Sequence, residues 1–291
     1  MLAVVLPKGS LEKQTLDLFA AADLGVLRGS DRDYHASVDD PRIDKVRFLR
    51  PQEIPTYVEQ GIFDLGISGR DWITETNADV VSLGEIGGGR QGAALVRVVL
   101  AVPKESAWER AEDLPDGVRI STEMPETTRR YLEEHGVKAK VFTSHGATEA
   151  KIPDIVDAIV DITETGSSLR KAGLKVIATL LTSRTELIAN RDAYDDPVKR
   201  AAIDDIHLLL QGALRARGQV LLKLNVPAER LDEVLGVLPA MASPTIMTLA
   251  AGDMRALETV VPKQGVNRLI PALKAAGARD ILELPISKIV E

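Results

Sequence analysis

Apolar positions along the chain fall into short blocks whose spacing alternates between two periods. "LAVVLP", residues 2–7, is an unbroken apolar run of strand length. "SLEKQTLDLFAAADL" follows it with Leu11, Leu16, Phe19 and Leu24 at helical spacing. Strand, Lys-Gly turn and helix make the opening of an α/β unit. "VRFLRP" predicts a second strand ended by Pro51, "PQEIPTYVEQG" a short helix stopped by Gly61, and "DLGISG" a third strand. After the glycines at 87–89, "AALVRVVLAVP" has the length of a strand crossing between two lobes. The alternation then repeats, with "GVRISTE" as strand, "PETTRRYLEEHG" as helix with Pro at its start, and "KAKVFTS" as strand. "IPDIVDAIVDI" predicts a helix running into a buried strand, and "LKVIATLLTSRTELIANR" a return strand followed by a helix. "PVKRAAIDDIHLLLQGALRARG" is one long amphipathic helix.

The pattern changes after Gly218. From Gln219 the order is strand, helix, strand, strand, helix, strand, the β-α-β-β-α-β signature of a ferredoxin-like domain. The expected domains are residues 1–100 as a first lobe completed by about 181–217, residues 101–180 as a second lobe, and residues 218–291 as a separate C-terminal domain. No low-complexity tract or solenoid period interrupts them.

Composition narrows the function classes. Aromatics are 3% of the 291 residues and the net charge is −7, which argues against a nucleic-acid surface. An acidic chain can still hold a small anion with a local cluster of donors. The absence of cysteine excludes disulfides, thiolate metal sites and a cysteine nucleophile. The apolar start before Lys8 is shorter than a signal-peptide core, and no apolar stretch is long enough to span a bilayer, so a cytoplasmic protein with no membrane partner is expected. His35, His135, His145 and His207 have no metal-ligand spacing, and no metal site is expected of the protein itself.

Candidate chemistry gathers at strand ends. In "AIVDITETGSSLRKAGL" the apolar run ends in Asp161, and Thr163, Glu164, Thr165, Gly166, Ser167 and Ser168 follow before a basic helix. A carboxylate there can accept from both hydroxyls of a ribose, while the backbone N–H groups of a hydroxyl-rich glycine turn form an anion site. A ribose 5-phosphate fits the pair. A loop in which Ser and Thr only cap a helix fits the same letters. Lys8 and Gly9 follow the first strand, Arg50 the second, and Arg70 and Asp71 the third. The carboxyl ends of strands line the crevice of an open α/β sheet, so the three cations could face a polyphosphate. Ordinary ion pairs with neighbours such as Glu53 or Asp64 account for any one of them, and less readily for all three at equivalent strand ends.

"LPKGSL", "FLRPQEIPTYVEQGIFDLGISGRD", "HGATEAKIPDIVDAIVDITETGSSL" and "SPTIMTL" together resemble the ATP phosphoribosyltransferase family, the first enzyme of histidine biosynthesis, in its long, regulated form. The resemblance runs along nearly the whole chain. It implies an α/β fold with a two-lobed, periplasmic-binding-protein-like (type II) core and a C-terminal ferredoxin-like, ACT-like regulatory domain. It implies attack of adenine N1 of ATP on C1 of phosphoribosyl pyrophosphate (PRPP), with Mg²⁺ carried by the substrates. PRPP would bind at Asp161 and the turn Glu164, Thr165, Gly166, Ser167 and Ser168, and ATP near Lys8, Gly9, Arg50, Arg70 and Asp71. Lys8, Arg50 and Arg97 would offset phosphate charge, with Asp161 facing the cationic sugar. L-Histidine, as inhibitor, would meet Asn225, Met241, Ser243 and Thr245 in a homo-oligomer, dimer or hexamer. Asn225 stands where a carboxylate is expected, and "GGGRQGAAL" before Arg97 looks like an insertion. A solute-binding protein sharing the core, or a catalytically silent regulatory subunit binding histidine or nucleotide, are the rival readings.

Overall fold

A computed structural model describes residues 1–87, 95–239, 244–250 and 252–290. The expected insertion at 87–95 falls mostly outside the described residues. In chain order the elements of the first half are β1 (Leu2–Pro7), α1 (Glu12–Ala21), β2 (Val26–Leu27), β3 (His35–Val38), β4 (Ile43–Leu49), α2 (Ile54–Glu59), β5 (Leu65–Gly69), α3 (Arg70–Thr76) and β6 (Val81–Glu85). Then come β7 (Val96–Pro103), β8 (Val118–Thr122), α4 (Pro125–Glu134), β9 (Ala139–Thr143), β10 (Ala158–Thr163), α5 (Ser167–Lys171), β11 (Leu174–Ser183), β12 (Thr185–Ala189), α6 (Arg191–Asp195) and α7 (Pro197–Ala216).

Two sheets share one plan. The first has the order β2-β3-β4-β1-β5-β12-β6, and the second β11-β7-β10-β8-β9. β1 runs parallel to β4 and β5, and β8 parallel to β9 and β10. In each sheet the strand that has just arrived from the other runs antiparallel to both neighbours, β12 between β5 and β6 and β7 between β10 and β11, and in the first sheet β3 is antiparallel to β2 and β4 as well. The chain therefore crosses twice, once between β6 and β7 and once at Arg184. β7 lies wholly in the second sheet, so the long apolar run does not itself cross between lobes as expected.

The strands form where the pattern is apolar on both faces, as a sheet covered by helices requires. Val4, Val5, Leu6, Leu65 and Ile67 are 0–1% exposed on the central strands. Val5, Ile54, Val58, Phe63, Ile73 and Ile188 pack as one cluster that seats α2 against the first sheet. Val98, Leu100, Val118, Ile120, Ala158 and Val160 form the matching core of the second.

Two expected helices are absent. Residues 152–157 are turn and coil leading into β10, which finds strand partners on both sides in β7 and β8. Thr185–Ala189 is strand, because β5 and β6 offer backbone partners on both edges. The short β2 and β3 had no counterpart in the expected order.

A second compact unit gathers most of Leu208–Glu291. It holds β13 (Gln219–Pro227), α8 (Leu231–Val237), β14 (Thr245–Thr248), β15 (Met254–Pro262), α9 (Val266–Ala275) and β16 (Arg279–Pro285). The antiparallel order β14-β15-β13-β16 is the ferredoxin-like arrangement. Val220, Leu222, Leu224 and Val226 alternate toward Val234, Val266 and Leu273 of the helices.

Gly66 shows how tightly α2 is held. A Cβ there would lie 2.7 Å from Val58, 2.9 Å from Ile54 and 3.0 Å from Val5. Gly66→Ala is expected to cost about 1–3 kcal/mol, the usual penalty of overpacking, read as a lower denaturant midpoint at unchanged m-value.

Candidate active site

Between the two sheets lies a cleft of about 580 Å³. The first sheet and its helices contribute Ser10, Leu11, Gln14, Pro51, Gly69, Asp71, Trp72, Glu85, Gly87 and Thr185, and the second contributes Val96, Ile162, Thr163, Glu164 and Ser183, with Leu95 and Arg184 from the crossings. The floor is built by Asp71, which is 5% exposed. Its Oδ1 accepts from the Ser183 hydroxyl at 2.7 Å, and the same hydroxyl oxygen accepts the Asp71 N–H at 3.0 Å. Burial pushes the Asp71 carboxyl above its ordinary value of 3.8, and the Ser183 hydroxyl and the Trp72 N–H pull it back. Gly69 is the only residue type that fits beside it: a Cβ there would sit 2.0 Å from Asp71 Oδ1. Gln14 bridges to the Gly87 carbonyl at 2.6 Å.

Asp161 is half-buried in β10, opposite Val99 of β7. Its Oδ1 accepts the N–H of Ile162 at 2.7 Å. Burial raises its carboxyl above 3.8, and the nearby Glu149 and Glu123 charges push the same way. The turn beyond it is ordered by its own hydroxyls. Thr163 Oγ1 accepts the Gly166 N–H at 2.8 Å, and Thr165 Oγ1 the Ser167 N–H at 3.4 Å. Gly166 has φ of +70°, a conformation that favours glycine, and its carbonyl accepts the Arg170 N–H at 3.1 Å. Arg170 also donates to the Thr165 carbonyl at 2.9 Å. Glu164, Thr165, Ser167 and Ser168 are exposed, and neither serine caps α5. Of this set only Glu164 lines the cleft.

The cations separate. Lys8 donates to the Asp31 carbonyl at 2.5 Å and pairs with Glu12 at 3.6 Å, and Glu12 is taken more closely by Arg28 at 2.7 Å. Arg50 is exposed beside Gly9, where a Cβ would lie 3.3 Å from its Nη1. Lys8, Gly9 and Arg50 thus meet at the ends of β1 and β4. Arg70 turns away to Glu186, 3.4 Å distant, which Ser82 also holds at 2.7 Å. Arg97 lies opposite Thr163 on β10 and Thr182 on β11. Neither Glu53 nor Asp64 holds these cations among the described contacts: Asp64 pairs with Lys199 at 2.8 Å and accepts the Ala3 N–H at 2.7 Å. None of Lys8, Gly9, Arg50, Arg70, Arg97 or Asp161 lines the cleft itself. Trp72, Ser183 and Arg184 do, and the sequence reading did not single them out. Ser183 and Arg184 stand in the segment expected to be entering a helix, so only the strand pairing of β11 and β12 reveals them.

In the second unit Thr245 and Asn225 share one face of the sheet. Thr245 lies opposite Glu258 and Asn225 opposite Ala256, both on β15. Between them Lys223 and Glu258 pair at 2.7 Å, and Asn225 donates to Asp280 at 2.9 Å. Met241 and Ser243 lie outside the described residues. No group of three or more His, Asp or Glu positioned for a metal ion occurs among the described residues, and no described helix is long and apolar enough to cross a membrane.

A family model described as ATP phosphoribosyltransferase matches residues 50–212. One described as HisG, C-terminal domain, matches residues 216–288. The ATP phosphoribosyltransferase of Pelotomaculum thermopropionicum is 48% identical over 285 residues, 98% of this chain and 98% of that protein. That of Solibacter usitatus is 48% identical over 290 residues, 100% of this chain and 99% of that protein. The solved ATP phosphoribosyl transferase (HisG:HisZ) complex from Thermotoga maritima matches with a TM-score of 0.62 at 28% identity, over 72% of this chain and 96% of that one.

Fold and cleft define a two-lobed α/β core with a cleft between its two sheets, followed in the chain by a ferredoxin-like domain. Within that class the chain belongs to the ATP phosphoribosyltransferase family, in the long form with a C-terminal regulatory domain, and it is an enzyme of histidine biosynthesis.

The raised Asp161 carboxyl makes a stability prediction of definite sign. The folded chain holds the proton more tightly than the unfolded chain, so this group's contribution is fully favourable below 3.8 and is lost as pH rises through the folded value. Ionised Asp161 therefore destabilises the ligand-free fold at neutral pH. Asp161→Asn, whose Oδ1 can keep the Ile162 bond, is expected to melt at a higher temperature than the parent at pH 7. The gain should shrink toward zero as pH is lowered to 3.8, and melting curves across that range check it.

Proposed function

We propose that catalysis uses the two strand-end sites together, with ATP held from the first sheet and PRPP from the second. The observation that carries the reading is the pairing, on one strand end, of a half-buried carboxylate at Asp161 with an ordered glycine turn just beyond it, in which Thr165, Ser167 and Ser168 are exposed. The carboxylate accepts the two ribose hydroxyls, and the turn at Thr165–Ser168 receives the 5-phosphate. The Gly166 and Ser167 N–H groups are turned to Thr163 and Thr165, and the Ser168 N–H, which precedes the first helical bond of α5 from Arg170 to Gly166, is the turn N–H that would meet an anion beside the Thr165, Ser167 and Ser168 hydroxyls.

The purine belongs in the cleft. Leu11, Pro51, Trp72, Leu95, Val96 and Ile162 give it apolar walls, while among the described residues Asp71, Glu85 and Glu164 bring carboxylates and Arg184 a guanidinium. That balance suits a base with an exocyclic amine and repels a triphosphate. The triphosphate would lie outward, toward Lys8 and Arg50 at the ends of β1 and β4. Arg70, bound to Glu186, is a less direct ATP contact than the sequence suggested.

The chemistry is alignment and charge management. Adenine N1 attacks C1 of PRPP, the C1–O bond breaks, and pyrophosphate leaves with the electron pair. Asp161 holds the ribose and its negative charge favours the oxocarbenium-like centre. Positioning two bound reactants supplies much of the remaining barrier reduction. Mg²⁺ would offset phosphate charge when it arrives on the substrates. The described residues offer no three-ligand cage, so its oxygen ligands would come mainly from them.

The C-terminal domain is read as the histidine sensor of a homo-oligomer. Asn225 leaves the amino-acid ammonium without the expected carboxylate, and Asp280, held 2.9 Å from Asn225, supplies one. Met247 and Leu282, 44% and 57% exposed, share the helix-free sheet face with Thr245, and that face favours association with a second copy.

Two outcomes are expected of steady-state assays that follow product absorbance with ATP, PRPP and Mg²⁺. Gly166→Val places a β-branched side chain at φ of +70° and 3.0 Å from Arg170, so ligand-free melting should fall somewhat and PRPP use should be lost at temperatures where the variant is still folded. Normal turnover in that variant would put the 5-phosphate elsewhere. L-Histidine should inhibit the intact chain without being relieved by excess PRPP, with a coupling of about 1–3 kcal/mol. Full activity at millimolar histidine would remove the regulatory reading and leave the catalytic one standing.

A further inference from the structure

The second sheet carries a lysine whose surroundings the reading above leaves unused. Lys151 ends the short turn Thr148–Lys151, which packs against β8 and β10. Its Nζ donates to the Ser144 hydroxyl at 2.5 Å and to the Ser121 hydroxyl at 3.3 Å. Ser121 is 2% exposed and Ser144 3% exposed, and Ser144 shares a 2.8 Å hydrogen bond with Thr148, also 3% exposed. Buried hydroxyls need partners, and the ammonium is the partner that two of these have been given. Three buried side chains therefore fix the position of one cation.

An ammonium carries three N–H bonds, and two are spent. Among the described residues Lys151 has no ion pair and no partner beyond the two hydroxyls. Strand register shows what lies nearby. Ser121 of β8 is opposite Ile159 of the parallel β10. Side chains two residues apart on a strand share a face, so Asp161 stands on the face of Ser121, two residues nearer the carboxyl end. With a rise of about 3.3 Å per residue and about 4.8 Å between strands, the two side-chain positions are roughly 8 Å apart. A ribose held at Asp161 and bearing a diphosphate on C1 spans that separation.

Charge supplies the second argument. The Glu149 and Glu123 charges both lie near Asp161 at this end of the sheet and oppose its ionisation. A group of carboxylates that must receive a polyanion needs a cation fixed among them, and Lys151 adjoins Glu149 in the same turn.

We propose that Lys151 is a further catalytic residue, its remaining N–H binding the diphosphate of PRPP and stabilising it as the leaving group. The inference rests on the assignment of Asp161 to the ribose diol. In the reacting complex the adenine N1 lone pair forms the bond to C1, and the C1–O pair leaves with the diphosphate. Lys151 keeps its protons throughout and donates a hydrogen bond to oxygen that gains negative charge. A donor already fixed by Ser121 and Ser144 does not reorganise as that charge grows, so its effect is larger in the transition state than in the ground state.

The test uses the full chain, with ATP and PRPP varied separately and inorganic pyrophosphate added as product inhibitor. Lys151→Met is expected to lower kcat/KM for PRPP by about 10- to 100-fold, the loss of one charge-assisted hydrogen bond. It should weaken inhibition by pyrophosphate to a similar extent and leave KM for ATP nearly unchanged. Lys151→Arg, which keeps the charge, should recover part of the loss. Parent-like PRPP kinetics in Lys151→Met, or a defect confined to ATP, overturns the proposal. So does an equal loss in all parameters with a lowered melting temperature and no recovery in Lys151→Arg, which would make the lysine structural. Asp161→Asn, assayed alongside, separates the two assignments. Unchanged PRPP dependence in Asp161→Asn overturns the ribose site and the placement built on it. A PRPP defect there with none in Lys151→Met overturns the lysine alone.

Discussion

The buried Asp71 carboxylate is the group on which the catalytic core turns. It begins α3, directly after β5 of the first sheet, and its partner Ser183 is the last residue of β11 in the second. The chain returns between the sheets in a single residue, Arg184, whose carbonyl accepts the Arg70 N–H at 2.8 Å. One helix start is thus bound to both sides of a crossing. An ionised carboxylate held away from water is costly, and here the cost is offset by a hydroxyl donor and by N–H groups of its own helix start. The same bonds place Gly69, Asp71, Trp72, Ser183 and Arg184 along one cleft. Gly69 has no alternative, since any side chain would occupy the space of the carboxylate oxygen.

How much of this could be read from the letters depends on the range of the interaction. Strands such as β1, β5 and β10 are apolar on both faces, and burial alone identifies them. The C-terminal domain was legible from a different signal, the order strand, helix, strand, strand, helix, strand, which the structure repeats from β13 to β16. β12 was not legible. Its Leu187 and Ile188 carry no period of their own, and what makes them strand is the pair of open edges on β5 and β6. β2 and β3 are short and mostly exposed, and only pairing with β4 defines them. The site divides along the same line. Asp161 and its turn announce themselves because polar and small residues interrupt an apolar run. Ser183 is an ordinary hydroxyl in sequence and acquires meaning only through a contact with Asp71 across 112 positions. The strand-end cations were legible as positions and not as partners: Arg70 has Glu186 and Lys8 has Glu12 and Asp31, choices that tertiary packing makes.

A second tie between the sheets completes the picture. Helix α4 begins after Met124, which offers no side-chain cap. Its first N–H groups are met instead by Glu75 of α3, whose two carboxylate oxygens accept from Glu126 at 2.9 Å and Thr127 at 2.8 Å. A carboxylate at a helix N-terminus is favourable on both hydrogen-bonding and dipole grounds, and this one comes from the other lobe. Helix α3 therefore bonds to the second lobe at both ends, through Asp71 at its start and Glu75 near its finish. An element gripped twice cannot rotate about either grip without breaking the other. The orientation of α3 then becomes the orientation of the cleft wall that carries Asp71 and Trp72. Two polyanionic substrates repel each other, and a cleft that aligns them must keep its geometry against that repulsion. Carboxylates bonded to backbone N–H groups and a buried hydroxyl resist it better than exposed ion pairs, whose strength salt erodes.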